Sequence, residues 1–153
     1  MKTIKIDIKR CDIDEELSKI TAYTGAKSIS GGGNEDFDRV ATVEEDSAML
    51  NRYWHNAAGI LTEHLKEFVV SANTIGGEMV FTLEVSGAYD ESLTPSVKEG
   101  MFAFVAASMA KNWFLLTYPE KAPEWEAETS RLLRETAIKL YHRRKPIRTK
   151  SRD

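Results

Sequence analysis

TPSVKEGMFAFVAASMAKNWFLL, residues 94–116, is the stretch on which the fold turns. Thr94 and Pro95 are the residue types that open helices, one as a side-chain cap and the other as a first-turn proline. From Val97 onward the large side chains Met101, Phe102, Phe104, Val105, Met109, Trp113, Phe114, Leu115 and Leu116 fall on nearly every side of a helical repeat. Small residues sit between them: Gly100, Ala103, Ala106, Ala107, Ser108 and Ala110. A helix that is apolar all round must be buried. Two coverings are open. Either the other helices of the chain wrap it, or a neighbouring subunit does, since an exposed apolar face is an interface by default. The longest apolar run, Met101–Ala110, is about half the length of a membrane span and contains Ser108.

Working outward, Thr42-Val43-Glu44-Glu45 reads as a capping box, and the acids through Asp46 suit the positive end of a helix dipole. Leu50, Trp54, Ala57, Leu61, His64 and Phe68 follow at three- and four-residue steps, which predicts a helix to about Val70. Asn73 and Gly76-Gly77 then break it. Beyond the apolar helix, Pro119 and Pro123 bracket a second break. A last helix is expected from about Pro123 to His142, with Trp125, Leu132, Leu133, Ala137, Leu140 and Tyr141 inward and Pro146 as its limit. Its acids Glu124, Glu126 and Glu128 lie at one end and Lys139, Arg143 and Arg144 at the other, both matched to the dipole.

Before these helices, Thr3 to Lys9 alternates strictly, with Ile4, Ile6 and Ile8 on one face. This is the pattern of a half-buried strand. Ile13, Leu17, Ile20 and Thr24 define a short amphipathic helix, opened by Asp12 with Glu15 and ended at Gly25. Ser28–Asp38, with Gly31-Gly32-Gly33, reads as a flexible loop. A phosphate cradle is the lesser reading, because Glu35 and Asp36 follow the glycines instead of a lysine and hydroxyl pair. Met79, Phe81, Leu83 and Val85 alternate as a second strand. A lone two-stranded ribbon is marginal in water, so the two strands pair and pack on the helices, or one adds to a neighbouring subunit. The expected class is mainly α: a small bundle of about four helices with a short two-stranded β element.

A chain of 153 residues fits one domain, here residues 1–142, and needs no metal or disulfide to fold. Composition is that of a soluble protein, 42% hydrophobic and 29% charged. The single cysteine, Cys11, rules out an internal disulfide framework. The alternating N-terminus does not read as a signal peptide, which makes a cytoplasmic life the default. Charge is unevenly placed. Residues 143–152 hold Arg143, Arg144, Lys145, Arg148, Lys150 and Arg152 with no acid, leaving 15 basic and 23 acidic residues in 1–142. A mildly acidic body with a basic tail over 143–153 points to a negative partner, against the plainer reading of a solvated terminus.

No catalytic constellation emerges. His55 and His64 are nine residues apart on one helix and do not converge. His64 and Glu67 have helical metal-site spacing, but no second carboxylate–histidine helix completes them, so a surface pair is favoured and no metal or other cofactor is expected. Cys11 has only Arg10 as an activating neighbour and reads as a buried or idle thiol. Glu44, Glu45 and Asp46 have a sufficient explanation at a helix start. No nucleophile elbow or phosphate-binding loop is present in the sequence. The tail could neutralise a few phosphates, giving DNA contact that is at most non-specific.

The order of elements carries a resemblance. Glu44-Glu45-Asp46, then Met49-Leu50, Tyr53, Ala57-Ala58, Leu61 and Phe68, a strand-bearing insert, and Thr94-Pro95-Ser96-Val97-Lys98-Glu99-Gly100 opening an apolar helix that ends near Lys111-Asn112-Trp113 resemble the head-to-tail connector (adaptor, or head-completion) proteins of tailed bacteriophages. The resemblance spans roughly Thr42 to Arg144. It implies a non-enzymatic virion protein, assembled in the host cytoplasm as a homo-oligomeric ring between portal and tail. It also implies a C-terminal extension that touches the portal, with Arg143, Arg144, Lys145, Arg148 and Lys150 as the expected partner-binding residues. Three other readings stay open: a tail-completion ring seated on a tail tube, a non-viral helical regulatory or nucleic-acid-associated module, and a helical enzyme or metal-binding bundle using His64 and Glu67.

Overall fold

The computed structural model describes residues 1–28 and 46–147. In chain order these form β1 (Lys2–Lys9), α1 (Arg10–Ser28), α2 (Ser47–His64), β2 (Val69–Ile75), β3 (Glu78–Val85), α3 (Thr94–Thr117) and α4 (Ala122–Tyr141). Single 3-10 turns at Glu91–Leu93 and Pro119–Lys121 lead into α3 and α4. The protein is mainly α with a small antiparallel sheet, as the sequence patterns predict. The capping box at 42–45 and all but Ser28 of the glycine-rich loop lie outside the described residues.

The apolar helix α3 is covered by its own chain. Val97, Met101, Phe104, Val105, Met109, Trp113 and Phe114 are buried, and α1, α2, α4 and β1 all pack on α3. Only Leu115 and Leu116, near its C-terminal end, remain largely exposed among its large apolar residues. Of the two coverings, wrapping by the chain's other elements is the one observed. The closest approach is to α4. A Cβ at Gly100 would lie 2.6 Å from Thr136 Oγ1, so glycine is what lets the two helices meet. The inward stripe of α4 is centred on Thr129, Leu132, Thr136 and Leu140, while Tyr141, expected inside, is exposed.

One continuous core joins these helices to the sheet, running from Ile6 and Ile8 through Phe81 and Leu83 to Phe104 and Leu132. In the sheet, β3 lies between β1 and β2, with both pairings antiparallel. Ile4, Ile6 and Ile8 sit opposite Leu83, Phe81 and Met79, so the apolar residues of both strands share the core-facing side. Thus the two expected strands do pair within the chain.

A third strand corrects the two-stranded expectation. α2 stops at His64, not near Val70, and Val69–Ile75 turns back along β3. The cause is local. Val69, Val70, Thr74 and Ile75 are β-branched, which favours strand over helix. Gly76 and Gly77 both take positive φ, +67° and +74°, and close a two-residue hairpin whose twist suits the strands. Other boundaries shift less. α1 begins at Arg10, whose N–H donates to the Gly77 carbonyl at 2.8 Å, so Asp12 lies in its first turn and not at its cap. Leu93 takes the cap position of α3 and Thr94 is already helical. The Thr94 hydroxyl instead lies 3.1 Å from the hydroxyl of Tyr89.

Gly100→Ala should destabilise the protein by about 1–2 kcal/mol in urea unfolding, the overpacking cost less the helix propensity gained. Adding Thr136→Ala should recover part of that loss. A Gly100→Ala variant at least as stable as the parent would mean that α4 steps back freely. Gly77→Ala should cost about 1 kcal/mol or more through its positive φ, with no change in helix content by circular dichroism.

Candidate partner-binding surface

The basic tail has an anchored root. After α4 ends, residues 142–144 run beside residues 88–90 as a short antiparallel strip. The N–H of Asp90 donates to the His142 carbonyl at 3.1 Å, and that of Arg144 donates to the Ala88 carbonyl at 2.8 Å. Tyr89 and Arg143 form the bridge between them. Tyr89 is fully buried, so the strip is fastened to the core and not merely laid on the surface. Asp90 in turn accepts from the N–H and the hydroxyl of Ser92, at 3.1 and 2.6 Å. These bonds to Ser92 hold the Asp90 carboxyl below its ordinary range, and the nearby charges of His142 and Arg144 add to the effect.

Of the expected partner-binding residues, Arg143 and Arg144 have exposed side chains on this fastened backbone. Lys145 is also exposed and marks where the chain leaves the strip. Arg148 and Lys150 lie outside the described residues. The sequence pattern placed the tail but not its anchor. No periodicity in the sequence distinguishes Tyr89 as a core residue.

A second tie secures the end of α4. The Tyr141 hydroxyl donates to a Glu67 carboxylate oxygen, and the ring meets Phe68 edge-on at 4.8 Å between centroids. The bond to Glu67 keeps the Tyr141 proton on above the ordinary tyrosine value of 10.0. Met1, Phe68, Glu84, Tyr141 and Arg143 line an open cleft beside this contact. Its walls carry both signs of charge, so it lacks the single-signed field that would concentrate one class of ligand.

The remaining candidates separate. His64 ends α2 while Glu67 sits in the following turn, and both are exposed. Among the described residues no three histidine, cysteine or acidic side chains come together as a metal site. Cys11 is exposed at the start of α1, where burial was one expectation. Arg10 beside it is engaged elsewhere: it bonds Asp14 at 2.9 Å and Asn51 at 3.1 Å, and its guanidinium lies 5.6 Å over the Trp54 ring. Among the described residues no helix is long and apolar enough to cross a membrane. No family model, curated protein or solved structure matches the chain.

In hydrogen exchange, the amides of Asp90 and Arg144 should be protected while that of Lys145 exchanges freely. Equal exchange at all three would show that the strip does not hold in solution. A pH series tests the second tie. Tyr141 is held neutral in the fold, so its contribution to stability is complete below the ordinary tyrosine value and is lost as pH climbs through the raised one. Thermal unfolding at pH 8 and pH 11 should therefore show a smaller alkaline loss in Tyr141→Phe than in the parent.

Proposed function

We propose that this chain is a structural, non-catalytic subunit of a head-to-tail connector ring, bridging the portal and tail of a tailed phage or prophage. It would act in the virion after assembly in the host cytoplasm. The observation that carries the reading is the fastened tail root. A basic segment leaves an acidic body at one fixed point, beside a buried tyrosine, in the way a ring subunit needs in order to reach the next ring. The mechanism is geometric. Identical copies associate head-to-tail through an interface that closes, and each presents the same cations to the portal. Contacts that are individually weak and solvent-screened sum over the ring. Leu115 and Leu116, the part of α3 left uncovered, are candidate contacts between copies.

Mixing the protein with the portal encoded in the same genome should give a complex whose mass, by light scattering, equals the portal plus a stoichiometric ring. Removing residues 145–153, which spares the strip at 142–144, should weaken the complex by at least about tenfold through lost avidity. Raising salt should weaken the intact complex in the same direction. A stable free chain with no portal complex would overturn the reading. Assembly on a tail-tube protein instead would make the chain a tail-completion ring.

A further inference from the structure

The two edges of the sheet are built differently. β1, on one side, carries Lys2, Lys5, Asp7 and Lys9, and two of these are tied down, Lys2 to Glu91 at 3.1 Å and Asp7 to Lys98 at 3.4 Å. Charged side chains on an edge strand are the usual guard against further pairing. β2, on the other side, reads VVSANTI and has no charge. No strand lies beside its outer edge among the described residues. Val70 is 61% exposed and Ile75 78%, and Ser71, Ala72 and Asn73 are exposed between them.

The hairpin settles which backbone groups point away from β3. In a two-residue hairpin the residues flanking the turn exchange both of their bonds, and bonded and non-bonded pairs alternate from there. Ile75, Asn73 and Ser71 therefore bond inward to Glu78, Val80 and Thr82. Ala72 and Thr74 turn their N–H and C=O groups outward, to the open edge.

We infer that this edge pairs with the same edge of a second copy, β2 to β2 and antiparallel about a two-fold axis. The strand is self-complementary in the register centred on Asn73. Ala72 of each copy then exchanges both backbone bonds with Thr74 of the other, the two Asn73 side chains face one another, and Ser71 lies opposite Ile75. No like charges meet, because the strand has none. β1 is a poorer match, since its four charges would have to be accommodated against an uncharged edge. The product is one six-stranded sheet running through both molecules. Four such bonds make a short ladder, so the association is weak and depends on concentration. It goes beyond the connector reading. Two-fold partners face opposite ways and cannot be neighbours within one ring, so this contact joins free subunits or stacked rings.

Sedimentation of the isolated full chain, with no portal present, separates this inference from that reading. Between about 10 μM and about 1 mM, the range suited to so short a ladder, the mass should rise from 17.3 kDa towards twice that value. Thr74→Pro removes an outward donor and spares the ladder to β3, so it should weaken dimerisation at least about tenfold. Should that variant misfold by circular dichroism, Ala72→Lys at an already exposed position makes the same test. In a Cys11→Ser background, Asn73→Cys should form a disulfide-linked dimer under mild oxidation, since facing non-bonded pairs lie close enough for one. A monomer throughout the range would overturn the inference. So would a dimer that persists in the folded edge variants, or one that fails to cross-link through residue 73.

Discussion

Gly100 on α3 faces Thr136 on α4 at a separation that leaves no room for a Cβ unless Thr136 gives way, and the packing around α3 is built on that close approach. α3 is apolar on every side, so the molecule must surround it. With α4 drawn in close at Gly100, α1, α2 and β1 pack on α3 as well. The buried residues of all these elements then belong to one continuous core. A helix with so little polar surface could have been left for a neighbour to cover. Here it is spent internally, and only Leu115 and Leu116 are left over.

The sheet solves a different problem. A ribbon of β1 and β3 alone would be marginal, and β2 adds a third strand without lengthening the chain. It does so by ending α2 at His64 and spending two glycines with positive φ on a tight hairpin. The consequence is an edge that no other strand of the described residues joins, with no charge to guard it. The opposite edge carries four charges and two ion pairs. That asymmetry gives the molecule one face open to pairing and one closed to it.

The C-terminal segment combines the two themes. Its root is ordered by hydrogen bonds to residues 88–90 and by the buried ring of Tyr89. The Tyr141–Glu67 bond ties the end of α4 to the turn between α2 and β2. A charged segment gains affinity when its origin is fixed, because less conformational freedom is lost on binding. This is the physical ground on which the connector reading rests, more than on the apolar helix that first suggested an assembly partner.

The class of the fold was legible in the residues themselves. The all-round apolarity of 97–116 required a buried helix, the stripes running from Leu50 and from Trp125 required its neighbours, and strict alternation at 3–9 and 79–85 required two strands. These signals are local, because periodicity needs only side-chain spacing. Val69–Ile75 gave no alternation, since both of its faces are largely exposed, and its strand state was decided by the hairpin and by pairing to β3. The basic composition of the tail was likewise plain from the sequence. Its anchoring was not, because Tyr89 and Asp90 meet residues 142–144 only through the folded chain. Sequence determined which surfaces had to be hidden. Tertiary structure decided which partner hid each one, because a single apolar pattern is satisfied equally by a neighbour in the chain or by another molecule.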